Sequence, residues 1–109
     1  MKKGEVWWVD FEPTVGGEIK KIRPAIVVSN NLANRFLNRC QVVPLTSNTE
    51  KVFAGEVLIA MLGRTNKACI DQIRTVSKKR FKRKVTQLDK GELRKVLQKM
   101  RDYFELDDL

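Results

Sequence analysis

Arg23 is the residue in this chain whose neighbours best suit it to work on a phosphate. Pro24 follows it, fixing its own φ and biasing Arg23 towards extended backbone, and the apolar run continues as Ala25-Ile26-Val27-Val28. Before Arg23 lies a loop opened by Gly16-Gly17 that carries Glu18, Lys20 and Lys21. A guanidinium delivered in restricted geometry at the mouth of a strand suits a phosphate better than a solvated surface arginine does. A second polar group, Thr46-Ser47-Asn48-Thr49, ends another apolar stretch, and its hydroxyls and amide are further donors for a phosphate. The same residues also fit a plainer arrangement: a hairpin turn at Gly16-Gly17, an exposed edge arginine and an ordinary polar turn. The chain contains no histidine, so an imidazole acid–base pair is excluded.

Short strands are needed to position these groups. Residues 4–13, GEVWWVDFEP, are rich in strand-preferring types and closed by proline. Val6 and Trp8 fall on one face and Trp7, Val9 and Phe11 on the other, the pattern of a strand that is central or covered by a loop, partner or ligand. Trp7 and Trp8 suit core or interface packing, and beside positive charge they also suit base stacking. Residues 24–29 read as a second strand, 30–37 as a short helical turn or irregular connection, and 40–45 as a third strand in which Pro44 indicates an edge or a bulge. Residues 55–61 and 68–76 give two more strands, separated by 63–67. Five short, turn-punctuated strands make a mainly β body, a small barrel or sandwich. From Asp89 the period becomes helical, with Leu93, Val96, Leu97, Met100 and Phe104 on one stripe and Asp89 and Glu92 placed as a capping box. This C-terminal α-helix is expected to lie over an open end or face of the barrel. Its last residues are expected to fray, because Glu105, Asp107 and Asp108 oppose the helix dipole.

At 109 residues the chain reads as a single domain, 1–109. Its net charge of +9 is unevenly spread: residues 1–88 hold 17 Lys and Arg against 7 Asp and Glu, and residues 89–109 hold 5 against 6. The excess belongs to the body, which makes a polyanion the expected partner, nucleic acid ahead of an anionic membrane. The run KKRFKRK, residues 78–84, reads as a solvated charged face or as an RNA-facing rim that raises association rate. Cys40 and Cys69 lack the spacing of a zinc site or redox pair and read as small buried hydrophobes. With no signal-peptide pattern and no apolar run of spanning length, a soluble cytoplasmic protein without membrane contact is expected.

The stretch GEVWWVDFEPTVGGEIKKIRPAIVVSN, then VVPLTSN, then DQIRTVSKKR, resembles the MazF/PemK-type toxins of bacterial type II toxin–antitoxin systems. The likeness runs over nearly the whole chain and keeps the order of opening strand, glycine loop, RP strand, PLTS turn, DQIR strand and C-terminal helix. It implies a CcdB/MazF-like fold, an SH3-like small barrel elaborated with helices and assembled as a homodimer. It also implies a metal-independent, cofactor-free endoribonuclease that cuts single-stranded RNA at a short sequence, leaving 2′,3′-cyclic phosphate and 5′-hydroxyl ends. A MazE-like antitoxin would bind across the dimer and block the site.

Carried over by position, Arg23 and Thr46 match the family's catalytic pair. Arg23 is assigned to the developing phosphate charge, since a guanidinium with pKa above 12 is a poor base. Thr46 would orient the scissile phosphate, and Glu18 is the candidate base, with a solvated loop carboxylate as the plainer reading. Lys20, Lys21, Ser47, Asn48 and Gln72 are expected to bind or position RNA. Some relatives place a histidine where this chain has Ile22, which leaves the proton-transfer roles open. Two other activities fit the same fold: a non-catalytic toxin that poisons DNA gyrase, and a basic barrel that only binds RNA. Strands apolar on both faces predict a symmetric homodimer with Trp8 or Met61 near its interface.

Overall fold

The computed structural model describes residues 1–12 and 21–108. Seven antiparallel strands and two helices follow in the order β1 (Glu5–Asp10), β2 (Ile22–Val27), α1 (Asn31–Phe36), β3 (Arg39–Thr46), β4 (Glu56–Met61), β5 (Arg64–Cys69), β6 (Arg74–Ser77), β7 (Phe81–Gln87) and α2 (Lys90–Tyr103). The strands run β4-β5-β3-β2-β1-β7, with β6 also paired to β3. Among the described residues β4 and β7 are not paired, so the expected barrel is an open one.

The double-faced pattern of β1 has a direct structural cause. This strand lies between β2 and β7, and each of its faces meets a separate core. Val6 joins Ile26, Val28, Val43, Leu45, Ile59, Ile70 and Val96 on one side, while Val9 and Phe11 join Ala25, Val27, Cys40, Val42, Val76 and Phe81 on the other. The alternation along β2 and β3 thus sends successive side chains into different cores. Two register shifts against β7, flanking Trp7-Trp8, mark bulges that bend β1 at its tryptophans. Trp7 is locked in place: its Nε1 donates to Glu5 Oε1 at 2.9 Å, and its ring meets Phe81 edge-on at 5.8 Å.

Several expectations need correction. Pro44 lies inside β3, opposite Ala25, and not at an outer edge. On the other side of β3, the β6 pairing ends at Val42 and the β5 pairing begins at Leu45, so Pro44 sits at the seam where no ladder needs its missing N–H. The single strand expected over 68–76 is broken by a 3-10 turn, Ile70–Gln72, that carries the chain from β5 to β6. The gap expected over 63–67 is mostly strand: Leu62 (φ 52°) and Gly63 (φ 75°) form a two-residue turn, and Arg64 already pairs with Met61. The basic run is a 3-10 turn, Lys78–Arg80, followed by β7.

Helix α2 packs against β4, with Val96 fully buried and Leu93 and Met100 beside it on the first core. Asp89 caps it by accepting from the Gly91 amide at 3.1 Å. Glu92 does not close the expected box; its carboxylate accepts from the Ala60 amide of β4 and pairs with Lys95 at 2.9 Å. Phe104, expected on the apolar stripe, is exposed just past the helix end. Among the described residues no helix is long and apolar enough to cross a membrane.

Candidate active site

The site follows from strand register. Arg23 is held opposite Val9, and Pro24 opposite Trp8, by the β1–β2 ladder. Across the other edge, β2 pairs with β3 at Ala25↔Pro44, Ile26↔Val43 and Val27↔Val42. The ladder ends at Ala25↔Pro44, and Arg23 and Thr46 each stand two residues beyond it, towards the same end of the two strands. Residues twenty-three positions apart in sequence are thereby neighbours at one end of the sheet.

Both line a cleft of about 420 Å³. Its apolar lining comes from Trp8, Pro24, Leu45, Met61 and Val85, among others, and its polar groups are Arg23, Thr46, Ser47, Arg64 and Asn66. Among the described residues that line it none is acidic, so two guanidiniums share one concavity without a carboxylate. Neither Arg23 nor Arg64 has an ion pair among the described residues. Two exposed guanidiniums without an ion pair among the described residues, over a partly apolar floor, are groups that suit an anion with a flat, weakly polar part.

Thr46 is half-buried, and its Oγ1 accepts from the Asn48 amide at 3.2 Å. That bond occupies a lone pair and leaves the O–H to donate towards the cleft. Asn48 in turn accepts from the Glu50 amide at 3.4 Å. It shapes the turn after β3 but does not line the cleft, whereas Ser47 does. Lys21 is exposed in the left-handed region (φ 58°), its carbonyl accepting from the Phe11 amide at 2.9 Å, and it too stays off the lining. Gln72 lies in the 3-10 turn and lines a different depression with Asp71, Ile73 and Arg74. Glu18 and Lys20 lie outside the described residues.

The sequence alone did not point to Arg64 or Asn66. Both stand in a segment read as a connection, and only the fold of the β4–β5 hairpin carries them to the cleft; the glycine turn before them was the available signal. The basic run divides by role. Arg80 Nη1 donates to the carbonyls of Asp10 and Glu12, and Arg74 Nη1 to that of Phe11 at 3.3 Å, so both fasten the end of β1. Lys84 pairs with Glu5 at 3.0 Å. Lys82 and Arg83 border a shallow hollow with Trp8 and Ile22, next to the cleft. Among the described residues no group of three or more His, Cys, Asp or Glu could hold a metal ion.

The family described as PemK-like, MazF-like toxin of type II toxin-antitoxin system matches residues 2–104. The chain is 35% identical, over 115 aligned positions, to Endoribonuclease MazF9 of Mycobacterium tuberculosis, covering 97% of this chain and 98% of that protein. It is 33% identical over 101 positions to Endoribonuclease EndoA of Bacillus subtilis, covering 88% and 87%. Among solved structures, MazF from Deinococcus radiodurans has a TM-score of 0.83 at 25% identity, covering 96% of each chain. An endoribonuclease in complex with its cognate antitoxin, from Mycobacterial species, has a TM-score of 0.80 at 20% identity, covering 97% of this chain and 96% of that one, a likeness of fold.

Proposed function

Because the chain belongs to the PemK-like, MazF-like toxin family of type II toxin–antitoxin systems, we infer that it is an endoribonuclease that cuts single-stranded RNA in the Arg23–Thr46 cleft. The observation that carries the reading is that Arg23, without an ion pair among the described residues, and the Thr46 hydroxyl meet at one end of adjacent strands, in a cleft whose described lining residues include no acid.

The chemistry follows from the substrate's own nucleophile. The 2′-hydroxyl attacks the adjacent phosphorus, the P–O2′ bond forms and the P–O5′ bond breaks. The products are a 2′,3′-cyclic phosphate and a 5′-hydroxyl. One proton leaves the 2′-oxygen and one reaches the departing 5′-oxygen from solvent. Arg23 bears the charge that builds on the non-bridging oxygens, and the fork of its guanidinium donates towards the leaving oxygen. Thr46 donates to a phosphate oxygen and fixes the phosphate against β3, with Ser47 beside it. Glu18 takes the 2′-proton, and Lys20 and Lys21, close to it in sequence, add positive charge that keeps it ionised. No metal ion is needed, since the nucleophile is internal and the arginine supplies the positive charge.

Family membership supports a homodimer neutralised by an antitoxin and acting on mRNA in the cytoplasm, with growth arrest as the result. Incubation with a long RNA in excess EDTA tests the reading. Discrete cuts ending in 2′,3′-cyclic phosphate are expected. A gyrase poison or a plain RNA-binding barrel would leave the RNA intact, and cutting that requires magnesium would contradict the mechanism.

A further inference from the structure

The cleavage step above uses Arg23 and leaves Arg64 unassigned. Arg64 opens β5 immediately after the Leu62–Gly63 turn, with its backbone pinned opposite Met61. Strands β2 and β5 both lie beside β3, so Arg23, Thr46 and Arg64 reach the cleft from three neighbouring strands, with Thr46 in the middle. Adjacent strands are about 4.8 Å apart, which puts β2 and β5 roughly 10 Å from each other. Lys67, not Arg64, stands opposite Thr46, so Arg64 is also offset from it by three residues along β5; two long arginines separated both across and along the sheet reach different phosphates of one strand more readily than they converge on one. The same cleft is lined by Trp8, Leu45, Met61 and Val85, an apolar floor, and Asn66, two residues after Arg64 on the same face of β5, adds an amide. An exposed arginine without an ion pair among the described residues, beside apolar walls, keeps its donors for a ligand.

We propose that Arg64 binds the phosphate next to the scissile one, so that the cleft grips two successive phosphates of a single RNA strand with the intervening nucleotide over its apolar floor and beside Asn66. The proposal rests on the endoribonuclease reading. Arg64 then acts in binding and register, whereas Arg23 acts on the charge of the transition state.

The test compares wild type, Arg64→Ala and Arg64→Lys on RNA whose cleavage position has first been mapped in a long transcript. Oligonucleotides spanning that position carry one neutral methylphosphonate each, at successive linkages, and a 2′-deoxy sugar at the cleavage point so that binding is read without cutting. One linkage adjacent to the scissile phosphate should weaken wild-type binding about tenfold or more when neutralised. The same change should add nothing to Arg64→Ala, which should also lose about 0.7 from the slope of log affinity against log salt. Arg64→Lys should keep part of the sensitivity, as a point charge does. On cleavable RNA, Arg64→Ala should raise KM while kcat stays near wild type. Arg64→Ala binding like wild type, or responding to every neutral linkage as wild type does, would overturn the proposal. An intact transcript in the mapping step would overturn the cleavage reading and this proposal together.

Discussion

Lys67→Met should be among the more destabilising single changes in the β4–β5 hairpin, and its magnitude can be worked from contacts. The Lys67 and Glu56 side chains are each only 10% exposed, and Nζ lies 3.1 Å from Glu56 Oε1. Nζ also donates to the Lys51 carbonyl at 3.0 Å and sits over the Phe53 ring at 5.9 Å. Removing one member of a buried pair leaves the other charge uncompensated and costs about 3–5 kcal/mol. That is a large part of the roughly 5–15 kcal/mol by which a domain is stable. Urea unfolding followed by tryptophan fluorescence should show a loss near 3 kcal/mol for Lys67→Met. The double variant Lys67→Met/Glu56→Leu should recover a clear part of it, since two apolar groups can replace a buried pair. Recovery should stop short of wild type, because the Phe53 amide, which donates to Glu56 Oε1 at 2.8 Å, loses its acceptor. Lys67→Met within about 0.5 kcal/mol of wild type, or a double variant no better than the single, would refute this account of the hairpin.

Acid should destabilise the fold through two carboxylates. Burial alone would raise Glu5, but the Trp7 indole, the Lys2 amide and Lys84 together hold it below the ordinary 4.5. Glu92 is lowered chiefly by the Ala60 amide and then by Lys95. A carboxylate with a depressed folded pKa contributes fully above its unfolded value and loses that contribution as pH falls through the folded one, so Glu5→Gln should flatten the stability–pH curve below 4.5. Burial, followed by the charge of Glu56, pushes the Cys69 thiol up to about 11. Native protein should therefore react very slowly with a disulfide reagent at mildly alkaline pH and rapidly in urea; fast native labelling would contradict the burial of both thiols.

The hydrophobic pattern made much of the fold legible, and its failures have physical causes. Two apolar parities in β1 pointed to a central or covered strand, and the strand is central, between β2 and β7, with a core on each face. Pro44 misled because its missing N–H argues for an edge, whereas a seam between two partner strands serves equally well. In residues 81–87 Phe81 meets the second core and Val85 the first, so single apolar residues without a two-residue alternation, set among lysines and arginines, hid a strand behind a charge run. Glu92 fitted a capping box by spacing, but a β4 amide competes for its carboxylate, and no local rule can foresee that. For the site, Arg23 and Thr46 were legible because each ends an apolar strand next to a residue of restricted or turn-forming type. Arg64 and Asn66 were not, since their place in the cleft depends on a hairpin folding back beside β3. Gln72 sits near this region in sequence, yet the 3-10 turn directs it to another surface.

Single-turnover cleavage by Arg23→Ala at saturating protein measures the central claim most directly. If Arg23 stabilises charge that exists mainly in the transition state, the rate should fall by about two orders of magnitude or more, roughly 3 kcal/mol. RNA affinity should change far less, because the other cations still hold the backbone. Arg23→Ala cutting at the wild-type rate once saturated would make Arg23 one phosphate contact among several and contradict the assignment of this cleft as the active site.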